Sequence, residues 1–111
     1  MTPTLTHVPL SETAWQGRVM DFARLRGWRI THFRPTQVRP GRWATALAGD
    51  PGWPDLALCR DGRLILAELK TERGRLSPGQ VAWLGVLQTV QGVDVRVWRP
   101  SDWDSVMEAL R

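Results

Sequence analysis

The 111-residue chain holds one cysteine, one lysine and no long apolar run, and each scarcity excludes something. With Cys59 alone, no intrachain disulfide can form, which fits a reducing compartment. Cys59 lies in an apolar run and reads as a small buried hydrophobe rather than a nucleophile. No stretch approaches the roughly 18 apolar residues of a membrane span. No basic segment leads into a short apolar one in the manner of a secretory leader. The expectation is a cytoplasmic protein with no membrane partner. The length suits one domain over 1–111, large enough to bury a core unaided, with 1–10 a loose start holding Pro3 and Pro9.

The shortage of lysine is the sharper observation. Of 15 basic residues, 14 are arginine, and the sole lysine is Lys70, two positions after Glu68. A GC-rich genome would explain the bias but not the position. Arginine stays charged at any working pH, whereas lysine has a compact ammonium and a tunable pKa. The formal net charge is +4 and the sequence pI about 10.9. That balance favours polyanionic partners such as nucleic acid, although many small soluble proteins carry as much.

The apolar spacing lays out the elements. Ser11 is placed to cap a helix over roughly 12–26, with Trp15, Val19, Phe22 and Ala23 on one face and Gly27 as its stop. A strand follows over Trp28–Phe33, with Trp28 and Ile30 alternating against Arg29 and Thr31. Residues 34–53, punctuated by Pro35, Pro40, Gly41, Gly49, Pro51 and Gly52, read as irregular. Arg34, Arg39, Arg42 and Trp43 lie there. Arginine beside an aromatic suits backbone contact and base stacking, and equally a solvated loop with Trp43 folded onto the core.

Two apolar runs, Asp55–Arg60 and Arg63–Lys70, flank Asp61-Gly62, a strong signal for a tight hairpin. Ser77-Pro78-Gly79-Gln80 then opens a helix with a capping box and proline in the first turn. Val81, Leu84, Val86, Leu87 and Val90 supply its apolar face, and Gly92 ends it. Val93, Val95 and Val97 form a last strand, and Ser101 caps a final helix with Trp103, Val106, Met107 and Leu110 inward. The order α-β-β-β-α-β-α gives an α/β domain, one mixed sheet flanked by helices, with a parallel crossover between the last two strands.

Counting outward from the Asp-Gly turn sets Arg60 opposite Arg63, Leu58 opposite Ile65 and Asp55 opposite Glu68. Opposed side chains share a face about 5 Å apart, and Lys70, two residues beyond Glu68, shares it too. Two facing carboxylates repel, which raises one pKa or attracts a cation. A hard divalent ion resolves this with oxygen ligands and retained waters, and the backbone carbonyl of Leu69 is a further oxygen. Such an ion polarises a phosphoryl oxygen and acidifies a bound water. Lys70 is then placed to orient or deprotonate that water, or to stabilise charge on the phosphate. The competing reading is a surface salt-bridge patch in which Lys70 only neutralises Glu68 and Asp55.

Gly52-Trp53-Pro54-Asp55-Leu56 followed by Ala67-Glu68-Leu69-Lys70 resembles the PD-(D/E)XK nuclease superfamily. More closely it is similar to the stand-alone VRR-NUC (virus-type replication-repair nuclease) domains of phages and prophages. The similarity runs from about Glu12 to Trp103 and includes Glu12-x-x-x-Gln16 and Ser77-x-x-Gln80. The resemblance implies a restriction-endonuclease-like core and a Mg²⁺- or Mn²⁺-dependent DNA endonuclease, in a bacterial or phage-infected cell. It implies metal ligation by Asp55 and Glu68, a catalytic Lys70, Glu12 as an additional acid near the metal, and Gln80 lining the site. Homodimers that cut branched DNA or Holliday junctions are the implied precedent.

Plainer roles stand beside these. Gln80 completes a capping box, Glu12 suits the first turn of a helix, and Gln16 suits solvent. Arg73 and Arg75, following Lys70, are candidates for phosphate contacts or a solvated basic loop. His32 reads as a satisfied edge residue, and His7 carries no signal. Among seven tryptophans, Trp15, Trp83 and Trp103 read as core, Trp98 as facing a subunit interface, and Trp53 as flanking the site. A rival function is a nucleic-acid-binding or assembly module that kept this fold without catalysis; an enzyme acting on another polyanion is a third.

Overall fold

The computed structural model describes residues 9–33 and 48–111, together with the backbone of two short strands at 36–39 and 42–44. Helix α1 runs Glu12–Leu25 and strand β1 Arg29–His32; β2 is Thr36–Arg39 and β3 Arg42–Ala44. The hairpin is β4 (Leu56–Arg60) and β5 (Arg63–Leu69), followed by α2 (Pro78–Leu87) and β6 (Val93–Trp98). A 3₁₀ turn (Pro100–Asp102) then leads into α3 (Trp103–Leu110). The fold is α/β, with a four-stranded mixed sheet ordered β1-β4-β5-β6 and a separate two-stranded sheet of β2 and β3.

Local chemistry accounts for most of these boundaries. The Ser11 hydroxyl accepts from the Ala14 amide at 3.1 Å, capping α1 as expected. Gly27, at φ +82°, lets the chain leave the helix. Asp61 and Gly62 both take positive φ, as a type I′ turn requires, and the β4–β5 ladder has the expected register: Arg60 opposite Arg63, Leu58 opposite Ile65. Strand β5 pairs in parallel with β6, from Leu64 opposite Val93 to Leu69 opposite Trp98.

Alternation assigns the two sheet faces. Leu56, Leu58, Ile65, Ala67 and Leu69 are buried on one face, in a core with Trp15, Val19 and Ala23 of α1 and Val106, Ala109 and Leu110 of α3. The other face carries Leu66 and Glu68, and α2 lies over it with Leu84 and Leu87 buried. Among the described residues, no helix is long and apolar enough to cross a membrane.

Several expectations are corrected. The stretch 34–53 is not wholly irregular, because β2 and β3 pair within it despite Pro40 and Gly41 between them. Helix α2 stops at Leu87, short of Gly92, and Val81, Val86 and Val90 are 56%, 62% and 45% exposed rather than part of its buried face. Ser101 does not cap the last helix. It lies inside the 3₁₀ turn, where the Asp102 carboxylate accepts from the Arg99 amide at 2.8 Å. Trp98 does not point outward from the sheet: it is buried in the core, and its carbonyl accepts from Trp15 Nε1 at 3.0 Å. Cys59 is exposed, because α2 leaves its end of the outer sheet face open. Trp83 is only half-buried and holds a loop instead of filling the core.

Candidate active site

The C-terminal end of β5 is where the sequence and the sheet converge. Lys70 leaves the strand with its amide donating to the Trp98 carbonyl at 3.0 Å, so parallel pairing fixes its origin. Glu68, one step inside, is 1% exposed and points to the face that α2 covers. Asp55 sits just before β4. The ladder ends at Leu56 opposite Ala67, so Asp55 does not pair with Glu68 through the backbone. Instead its Oδ2 accepts from the Leu69 amide at 2.9 Å, which turns the carboxylate inward beside Glu68. The Asp55 carbonyl meanwhile accepts from the Phe33 amide at 2.9 Å, tying this corner to β1.

Two further groups approach Glu68. Lys70 Nζ lies 3.8 Å from Glu68 Oε1. Gln80 Nε2 donates to the same oxygen at 3.0 Å, while Gln80 Oε1 accepts from the Ser77 amide at 2.8 Å. The two roles weighed for Gln80 are therefore one arrangement: the amide caps α2 with its oxygen and reaches the acid with its nitrogen. Glu68 Oε2 is buried without a hydrogen-bond partner.

A buried carboxylate beside another carboxylate resists ionisation. Burial pushes the Glu68 carboxyl up from 4.5 to about 8; the neighbouring Asp55 carboxylate pushes the same way, Lys70 opposes, and Glu12 adds a smaller push. Glu12 is thus close enough to be felt electrostatically, although it is exposed and accepts from Gln16 Nε2 at 3.3 Å.

The loops that present these groups are tightly seated. Gly52 takes φ +105°, and a Cβ there would overlap the backbone of Gly79 and Gln80; a Cβ on Gly79 would come within 2.7 Å of the Pro51 carbonyl oxygen. Only a pair of glycines lets the loop leading to Asp55 rest on the first turn of α2. On the other side, Arg99 Nη1 donates to the carbonyls of Thr71 at 2.7 Å and Gly74 at 2.6 Å, and Glu72 Oε1 accepts from the Ser101 amide at 2.5 Å. These contacts hold the loop on which Arg73 and Arg75 project, both exposed. Sequence reasoning missed Arg99, although the parallel register that sets Leu69 beside Trp98 also sets Arg99 beside the loop after Lys70. The side chains of Arg42 and Trp43 lie outside the described residues, as do residues 1–8 and 34.

Among the described residues, no cluster of three or more His, Cys, Asp or Glu side chains is arranged to hold a metal ion. What the corner offers is smaller: Asp55 and Glu68 side by side, with one buried Glu68 oxygen unpartnered. That donor set fits a hard divalent ion, which takes one or two carboxylates and keeps several waters. No family model matches the chain, and no curated protein or solved structure matches it either.

Proposed function

We propose that this chain is a divalent-metal-dependent nuclease hydrolysing phosphodiester bonds in DNA, of the VRR-NUC type, with a restriction-endonuclease-like core. The observation that carries the reading is the meeting of Asp55, Glu68 and the chain's only lysine at one corner of the sheet, with a buried Glu68 oxygen left without a partner. An acid buried beside a second acid destabilises the protein unless it does something, and cation binding is what this pairing suits.

Asp55, Glu68 and the Leu69 backbone carbonyl would hold Mg²⁺ or Mn²⁺, whose chemistry when bound is to polarise a phosphoryl oxygen and acidify a water. The rest falls to this chain's own groups. Gln80 fixes the Glu68 carboxylate by its 3.0 Å hydrogen bond. Lys70, 3.8 Å from that carboxylate, orients the attacking water and stabilises the negative charge that develops on the phosphate. Glu12 adds negative potential that favours the cation. Arg73 and Arg75 contact flanking phosphates, and the +4 net charge draws the polyanion in. By resemblance, the working form is a cytoplasmic homodimer acting on branched DNA.

The test is a panel of end-labelled linear, flapped and four-way-junction DNAs incubated with Mg²⁺ or Mn²⁺. Wild type cuts at least one of them, and Glu68→Ala does not. If every variant and the wild type bind DNA and none cuts, the chain is a binding module and the hydrolase reading falls.

A further inference from the structure

Beside the acidic corner lies a cluster of rings that the chemistry above does not use. Trp53 stands 6.3 Å from Phe33 and 5.0 Å from Trp83, centroid to centroid, with interplanar angles of 89° and 87°. All three rings are half-buried, and none belongs to the core beneath α1 and α3. With Ala48, Gly49 and Asp50 they line a recess of about 500 Å³, within the range of small-molecule sites, about 300–1,000 Å³. One of its rings is tied to the adjoining loop, because Trp83 Nε1 donates to the Asp50 carbonyl at 3.0 Å.

We propose that this recess receives an unpaired nucleobase from the DNA strand whose phosphate lies at Asp55 and Glu68. The preferred substrate then carries at least one unstacked nucleotide beside the cut. The inference rests on the nuclease reading and specifies its substrate.

Position is the main argument. Trp53 precedes Asp55 by two residues, so their Cα atoms are at most about 7.6 Å apart. Trp83 follows Gln80 by three residues on α2, about 4.5 Å along the helix axis. A duplex strand advances about 3.4 Å per nucleotide, so a base one or two nucleotides from the scissile phosphate reaches the rings. A base held in the stack cannot enter a side recess; it must be extruded or already unpaired. Aromatic side chains accept any base by stacking.

The experiment measures binding of the full chain in EDTA, without turnover, by fluorescence anisotropy. The probes are a duplex with a one-nucleotide flap, the same duplex with an abasic flap, and the perfect duplex. Wild type is expected to bind the base-bearing flap about tenfold tighter than the abasic one, the size of one stacked base. Trp83→Leu abolishes that ratio while keeping affinity for the perfect duplex. Trp83→Phe, which keeps a ring but loses the bond to Asp50, retains most of it. Equal binding of abasic and base-bearing flaps by wild type overturns the inference, as does a Phe variant indistinguishable from Leu, which would make Trp83 a loop anchor only. DNA cleaved without any base preference sinks this inference alone, whereas absence of all DNA binding sinks the nuclease reading with it.

Discussion

Gln80 and Glu68 are joined by a 3.0 Å hydrogen bond from a helix cap to a buried acid, so the first turn of α2 and the end of β5 hold one another in place. Gln80→Leu removes both halves of this link. The expected cost is about 1 kcal/mol from the weakened cap, read from urea unfolding. Affinity for Mg²⁺ should also fall, because Glu68 loses the donor that orients it. A variant with unchanged stability and unchanged metal affinity would show the link to be idle.

The position of Glu68 makes the metal-free protein sensitive to pH. The unfolded carboxyl keeps its ordinary 4.5, whereas the folded one lies at about 8. Between those values the folded state holds a proton that the unfolded state has released, so stability falls as pH rises from 4.5 to 8 and levels off above. Each unit of difference is worth at most about 1.4 kcal/mol. Glu68→Gln, which cannot ionise, should flatten this slope and be more stable than wild type at pH 8. Chemical denaturation at pH 5, 6.5 and 8 checks both statements.

Addition of Mg²⁺ should act in the opposite sense. A cation binds the ionised pair, so metal binding releases a proton and strengthens with pH. The expected result is a larger rise in Tm on adding Mg²⁺ at pH 8 than at pH 6, and none in Glu68→Gln. Differential scanning calorimetry with and without the metal provides the comparison.

Gly52 is the position where backbone geometry and site meet. Gly52→Ala places a methyl group into the backbone of Gly79 and Gln80 at a φ of +105°. Strain of this kind costs on the order of 1–3 kcal/mol. The loop before Asp55 should lift from α2, so thermal stability and metal affinity fall together. Thermal melts with and without Mg²⁺ read both.

Much of this corner was legible in the sequence because tight turns are short-range chemistry. Asp61-Gly62 dictated the hairpin register, and the register brought Asp55, Glu68 and Lys70 to one end. Ser11 and Ser77 marked the starts of α1 and α2. What escaped depends on tertiary context. Val81, Val86 and Val90 have the composition of a core face, yet only Leu84 and Leu87 point to the sheet, since a ten-residue helix lying over its strands buries a narrow stripe. Trp98 is drawn into the core by its pairing with Leu69, which alternation along β6 alone does not reveal. The β2–β3 pair hides behind proline and glycine, and Arg99 acts on carbonyls more than twenty positions away. The seating of Gly52 on Gly79 joins two motifs that, in sequence, look independent.

The most direct test of the whole account is the single-turnover cleavage rate of one labelled DNA in Mg²⁺, wild type against Lys70→Ala. The site predicts metal-dependent cutting by wild type, and a loss of at least about 100-fold in the variant, the scale of removing one charge-stabilising or proton-transferring group. Equal rates in the two proteins, or cutting that persists in EDTA, would contradict it.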